Sequence, residues 1–255
     1  MNELLKTTLI GLFFGTFGTT IGGVLGTKLK NTSNKYISFI LSLAAGLMTA
    51  IVSFDLIPEA IQISSTAKVL IGITIGVACM MTSERLVDKK FNQNHKSNKE
   101  ILSQNTKTNL LKTGIIISIG LAIHNFPEGL AIGSGFEASI TLGYSLAIAI
   151  CIHDIPEGIS MAVPMKLGGM SSKRVIFYVI LSGVTTGIGA FIGNIIGEIS
   201  QNVIAMCLSF AAGAMLYIVA GELTPESNKL YSGKLSVIGN ILGFVLGIIA
   251  MQIKI

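Results

Sequence analysis

Two hexapeptides, His124-Asn125-Phe126-Pro127-Glu128-Gly129 and His153-Asp154-Ile155-Pro156-Glu157-Gly158, carry the strongest chemistry in this chain of 255 residues. Each has the form His-polar-apolar-Pro-Glu-Gly and lies inside a long apolar run. Charged side chains in such surroundings are costly unless they are paired, protonated, solvated or bound to a ligand. A histidine and a glutamate four positions apart share one face of a helix. Each hexapeptide therefore offers an imidazole nitrogen and a carboxylate oxygen toward one point, a mixture that suits divalent ions such as zinc, iron or manganese. Asn125 and Asp154 point about 100° away around the helix; they turn toward a second ion or act in an outer shell. Without a cation, Glu128, Asp154 and Glu157 would repel one another. Each proline removes a backbone donor and crowds the carbonyl four residues back, Ile123 for Pro127 and Ile152 for Pro156. Gly129 and Gly158 leave room for close helix approach.

The elements that position these groups must be membrane helices. Hydrophobic residues make up 51% of the chain and charged ones 12%, against roughly 25% charged in soluble domains, and the mean hydropathy is +0.73. The apolar residues gather into runs near the ~20 that span a bilayer as a helix. This pattern predicts an all-α integral membrane protein of the cell membrane and argues against a nucleic-acid partner. The net charge of +5 comes from Lys and Arg confined to short segments between apolar runs. Eight spans are expected, at residues 5–27, 36–63, 68–82, 108–136, 139–167, 173–199, 203–223 and 235–251, in one transmembrane domain covering 1–255. The first run lacks a clear cleavage site and reads as a retained helix. Residues 84–107, rich in Asn, Lys, Ser and Gln and holding the lone His95, read as a flexible loop. With the amino terminus outside, all but Lys6, Lys68 and Lys254 of the 18 Lys and Arg fall on the cytoplasmic side, as the positive-inside bias requires. Both termini are therefore expected to be extracellular and the 84–107 loop cytoplasmic. Cys79, Cys151 and Cys207 all lie in apolar runs and read as small buried hydrophobes.

The second span contains Ala44-Ala45-Gly46-Leu47-Met48 followed by Asp55-Leu56-Ile57-Pro58-Glu59-Ala60, and the seventh echoes it with Ala211-Ala212-Gly213-Ala214-Met215 followed by Glu222-Leu223-Thr224-Pro225-Glu226-Ser227. Under the charge-derived topology these two spans run in opposite directions. Spans one to three and six to eight thus form inverted repeats enclosing the fourth and fifth, a 3+2+3 arrangement typical of transporters with a site near the membrane midplane. Asp55 and Glu59 line an outer vestibule or are solvated helix-end charges. Repeated glycines in spans one and six permit tight packing within one subunit or between the two of a homodimer. A divalent-cation carrier accounts for two His, three carboxylates and one Asn in the membrane interior, more ligands than a proton relay needs. A proton-coupled transporter of another substrate would use the same atoms. An intramembrane metalloenzyme would need a metal-held water and an acid/base carboxylate, but the chain has no His-Glu-x-x-His stretch. Transport explains the inverted scaffold as well as the ligands, so no catalytic residue and no resident cofactor beyond the transported ion are expected.

In its eight spans, the polar loop after span three and the doubled hexapeptide, nearly the whole chain resembles the ZIP family of divalent-metal transporters, bacterial members above all. The resemblance implies uptake of zinc or another divalent cation into the cytoplasm through a two-ion centre. On that pattern His124, Glu128, His153 and Glu157 bind one ion, with Met48 nearby on span two. Asn125 and Asp154 serve mainly the second ion, with Glu128 and Glu157 as bridges. Several family members place a glutamate on span six where this chain has Thr186, a poor replacement for a charged ligand. Asp55 and Glu59 match acidic positions at the outer mouth of the pathway, and Glu222 and Glu226 at the inner one. Gly221 stands where many relatives carry an aspartate, which makes the exit less negative.

Overall fold

The computed structural model describes residues 3–28, 33–92 and 106–251. These residues form eight helices and no strand: α1 (Glu3–Lys28), α2 (Asn34–Ile63), α3 (Thr66–Asn92), α4 (Thr106–Ala138), α5 (Ile140–Leu167), α6 (Ser172–Gly197), α7 (Gln201–Leu230) and α8 (Lys234–Met251). Seven are long and apolar enough to cross a membrane, and α8 carries a shorter apolar stretch, Lys234–Ile249. Serine side chains open several of them. Ser139 Oγ accepts from the Leu142 N–H at 3.1 Å and Ser200 Oγ from that of Val203 at 3.4 Å, satisfying donors that have no partner within the first turn.

Two expectations need correction. The third span is longer than residues 68–82, and the polar segment read as a loop from 84 is helical through Asn92, with Thr106 already opening α4. Within this stretch Glu84 accepts a hydrogen bond from the Tyr217 hydroxyl. His95 lies outside the described residues. Cys79 is exposed on α3, whereas Cys151 and Cys207 are buried; membership of an apolar run did not reveal which face each thiol occupies.

The α1 helix shows how a membrane protein turns the usual pattern around. Its bulky Leu5, Leu9, Phe13 and Phe17 are exposed, while Gly11, Gly15, Gly18, Gly22 and Gly26 are buried. In lipid the large side chains lose nothing by facing outward, and the small ones let backbones touch. A methyl added at Gly18 would strike the Cys151 carbonyl, at Gly22 that of Ile155, and at Gly26 the Ala162 side chain, so α1 and α5 run in parallel. Gly11 faces Ala190, Gly15 faces Thr186 and Gly23 faces Val179, so α1 and α6 run antiparallel. On the other side of α6, Gly129 and Gly133 of α4 meet Thr186 and Ala190 in a parallel pair.

Glycines pair the outer helices in the same way. Gly239, Gly243 and Gly247 of α8 sit on Phe39, Leu43 and Leu47 of α2, while Gly72 and Gly76 of α3 meet Ser209 and Phe210 of α7. Among the described residues, glycine contacts join α1, α4, α5 and α6 into one group, α2 to α8, and α3 to α7, and none crosses between these sets. The glycine faces of α1 and α6 are filled by helices of the same chain. Between the sets, packing is made by larger side chains of one core, including Leu47, Met48, Ile51, Leu146, Ile150, Leu208 and Met215.

Both α2 and α7 contain a widened π turn, Val52–Leu56 and Val219–Leu223. The Ile57 N–H reaches back to the Val52 carbonyl and that of Thr224 to Val219, five residues instead of four. Pro58 and Pro225 follow immediately, and the wider turn absorbs the donor and the space that proline removes. The two helices match at a constant offset of 167, from Asn34 to Gln201, Val52 to Val219 and Pro58 to Pro225. They also run antiparallel: Ser38 pairs with Ser227 at one end, Oγ to Oγ at 3.1 Å, and Ser64 with Asn202 at the other, at 3.0 Å.

Candidate metal centre

Adjacent helices α4 and α5 bring their hexapeptides together. One donor atom from each of His124, Glu128, His153 and Glu157 can be chosen so that all four lie within 4.8 Å of one another. His124 is 3% exposed and the other three 1% or less, so water does not solvate their charge. His153 Nε2 lies 2.8 Å from Glu128 Oε1. His124 Nε2 lies 2.9 Å from Glu128 Oε1 and 3.1 Å from Glu157 Oε1, but neither approach has the angles of a hydrogen bond. Both oxygens of Glu157 and Oε2 of Glu128 likewise have no hydrogen-bond partner.

The helices run unbroken through Pro127 and Pro156, and helical spacing aligns each His with its Glu. His153 Nδ1 lies 3.2 Å from the Ala149 carbonyl one turn back. A proton on Nδ1 directed at that carbonyl leaves the Nε2 lone pair facing the centre, the arrangement common to metal-binding histidines. Tetrahedral donors about 2 Å from an ion stand about 3.3 Å apart. The three closest His–Glu contacts are slightly shorter, 2.8–3.1 Å, and all four donors lie within 4.8 Å of one another, so a modest rearrangement would admit a cation. Two carboxylates and two neutral imidazoles supply the charge that a divalent ion balances.

Asn125 and Asp154 are both fully buried and take different positions. Asn125 Nδ2 donates to the Ser182 carbonyl at 3.1 Å and to its hydroxyl at 3.3 Å, leaving Oδ1 without a partner. Asp154 Oδ1 lies 3.6 Å from His153 Nε2, its Cβ faces Gly18 of α1, and neither carboxylate oxygen accepts a hydrogen bond. Thr186, one turn beyond Ser182 on α6, is buried against Gly15 with Oγ1 unpartnered. Ser182 had no sequence signal to mark it; its role follows only from the packing of α4 on α6.

Met48 is fully buried on α2. Farther along that helix, Asp55 sits in the π turn and accepts a hydrogen bond from Ser145 Oγ of α5 at 3.2 Å. Glu59 is half-buried one turn on. At the opposite end of the bundle, Glu222 and Glu226 line a cavity of about 360 Å³ with Glu84, Gly120, Ile123 and Ser160. Ile123 precedes His124, and Ser160 Oγ donates to the Glu157 carbonyl at 2.7 Å, so the cavity reaches the helix turns next to the cluster, although none of the four donor residues lines it. Glu226 also approaches Lys229 at 3.6 Å across an exposed surface, a pairing worth little.

Comparison with known proteins bears directly on this arrangement. The family model described as ZIP zinc transporter matches residues 81–253, which include both hexapeptides and Thr186. The chain belongs to the ZIP family. Similar full-length relatives include the zinc transporter ZupT of Akkermansia muciniphila, 34% identical over 95% of this chain and 93% of its own length. ZupT of Clostridium perfringens is 31% identical over 100% of this chain and 98% of its own, and ZupT of Corynebacterium aurimucosum 31% identical over 93% of each. Membership identifies a ZIP membrane transporter rather than an enzyme, and the apolar helices agree with that placement.

Proposed function

We propose that this protein carries a divalent cation, zinc foremost, across the cell membrane into the cytoplasm by alternating access. The observation that carries the reading is the buried cluster of His124, Glu128, His153 and Glu157, whose donor atoms converge with too few hydrogen bonds among the protein groups to satisfy them. The names of the ZupT relatives point to zinc. Met48 lies on the neighbouring span, and Asn125 and Asp154 form a second set of donors beside the first, weakened where Thr186 replaces a carboxylate.

In this reading the chain is one transporting domain of eight spans with both termini outside. The antiparallel, offset-matched α2 and α7 support inverted repeats around α4 and α5. Asp55 and Glu59 then face the outside and Glu222 and Glu226 the cytoplasm. The cavity beside Glu222 opens inward, while the seam above the cluster is closed by Met48, Ile51, Val52, Leu146, Ala149 and Ile150, all nearly inaccessible. That asymmetry describes an inward-facing state. Glycine contacts bind α1, α4, α5 and α6 tightly to one another and to none of the other helices, which supports movement of this group against the remainder.

Uptake of zinc, iron, manganese and cadmium into proteoliposomes, under imposed pH and voltage gradients, tests the proposal. Saturable accumulation of zinc that disappears in His153→Ala is expected. Absence of flux for all four ions in folded protein would sink it.

A further inference from the structure

The boundary between α5, in the ligand-bearing group, and α2, outside it, is crossed on the closed side by the hydrogen bond from Ser145 Oγ to Asp55 Oδ2, 3.2 Å long. Ser145 belongs to an i, i+4 stripe of α5 that continues through Ala149 to His153 and Glu157. The Ala149 carbonyl is the acceptor that faces His153 Nδ1. Asp55 lies on α2 within the widened turn, where five residues instead of four separate the Ile57 N–H from its acceptor. Between this pair and the metal centre, Leu146, Ala149 and Ile150 of α5 close against Met48, Ile51 and Val52 of α2 with almost no accessible surface. A half-buried carboxylate at the entrance to a closed seam is thus tied to the helix that would have to leave it.

We propose that Ser145 is a positioning residue for transport: its hydrogen bond to Asp55 is the outer latch, and an entering divalent cation opens the seam by taking the Asp55 carboxylate from it. The inference rests on the transport reading above. An unassisted hydroxyl donor contributes one charge-assisted hydrogen bond to the closed state. A cation offers the same carboxylate a stronger partner, so binding at the mouth and release of α5 are coupled. The π turn places Asp55 where a small change in helical register carries it toward or away from Ser145. At the opposite end the matching position is Glu222, which lines the cavity.

The test uses the full chain in proteoliposomes. Ala149→Cys is the reporter, labelled from outside by a membrane-impermeant thiol reagent, with the parent protein as control for the native cysteines. Ser145→Ala is expected to raise the metal-free labelling rate of that cysteine about tenfold, the shift that loss of one hydrogen bond to a charged acceptor produces. Ser145→Thr should restore the parental rate, and zinc binding at the central site should keep its stoichiometry in both. Asp55→Asn retains an oxygen acceptor for Ser145 but loses the charge. It should therefore stay closed and raise the KM for external zinc without a matching loss of maximal rate. Labelling in Ser145→Ala and Asp55→Ala equal to that of the parent, in vesicles that transport zinc, would overturn the latch. A lack of zinc flux in the parent itself would instead defeat the transport reading, so the two failures are distinguishable.

Discussion

His153 of α5 approaches Glu128 of α4 through Nε2 at 2.8 Å while its Nδ1 lies 3.2 Å from the Ala149 carbonyl. With the ring proton on Nε2, His153 donates to Glu128; with it on Nδ1 and directed at Ala149, the Nε2 lone pair and the carboxylate oxygen face each other and a cation can be shared between them. The same oxygen of Glu128 also lies 2.9 Å from His124 Nε2, so one carboxylate ties both histidines into a single centre.

Replacing His124, Glu128, His153 or Glu157 individually by Ala should lower zinc uptake at least about tenfold, in line with the loss caused by disturbing even the supporting partners of a metal ligand. Membrane abundance should stay near that of the parent, because the fold is held by apolar and glycine packing and not by these groups. Uptake by proteoliposomes and titration of bound zinc check both halves. Parental rates in all four variants would remove the site assignment.

Thr186→Glu should add a carboxylate beside Asn125 and Asp154, raise the zinc bound at saturation and strengthen the second position. The larger side chain must be accommodated where Thr186 packs on Gly15, so a cost of about 1–3 kcal/mol in stability is expected. Metal stoichiometry and thermal unfolding in detergent measure the two effects separately. A destabilised variant with unchanged stoichiometry would count against a second ion bound beside Thr186.

The four-donor cluster was legible in the sequence because its spacing is local: a helix brings residues four apart to one face, so each His-Glu pair could be read before any fold was known. The repeat was equally plain, since Ala-Ala-Gly-x-Met and the following Pro-Glu recur at one offset. What could not be read was partnership between helices. Ser182 holds Asn125, Ser145 holds Asp55 and Tyr217 holds Glu84, yet serine and tyrosine are unremarkable in any membrane helix and their partners lie 57, 90 and 133 residues away. The turns of α3 past residue 82 lie beyond its apolar run, so hydropathy gives no sign of them. Proline at position 58 announced a disturbed backbone, but only the structure resolves it as a widened turn.

Gly22→Val tests the backbone contact that seats α1 on α5. A side chain there would meet the Ile155 carbonyl and Gly158 Cα, and the helices would have to separate. The expected loss is about 1–3 kcal/mol or more, seen as a lower unfolding temperature in detergent and accompanied by weaker zinc binding, because Ile155 lies between His153 and Glu157 of the proposed site. Unchanged unfolding would show that α1 can withdraw without cost.

Gly120→Cys probes the proposed inward-facing state most directly. Nothing lies within 4 Å of a methyl group added at this position, and Gly120 lines the cavity one turn before His124, so a thiol fits without repacking. In metal-free vesicles it should react rapidly with an impermeant reagent supplied on the cytoplasmic side and slowly with the same reagent outside. Ala149→Cys, in the dry seam between Ser145 and His153, should behave in the opposite sense whenever conditions favour the outward-facing state. Under a zinc gradient that drives transport, the two rates should move reciprocally, since one moving group cannot open both seams together. Rates that stay fixed from both sides while zinc is carried would argue for a continuous pore in place of alternating access.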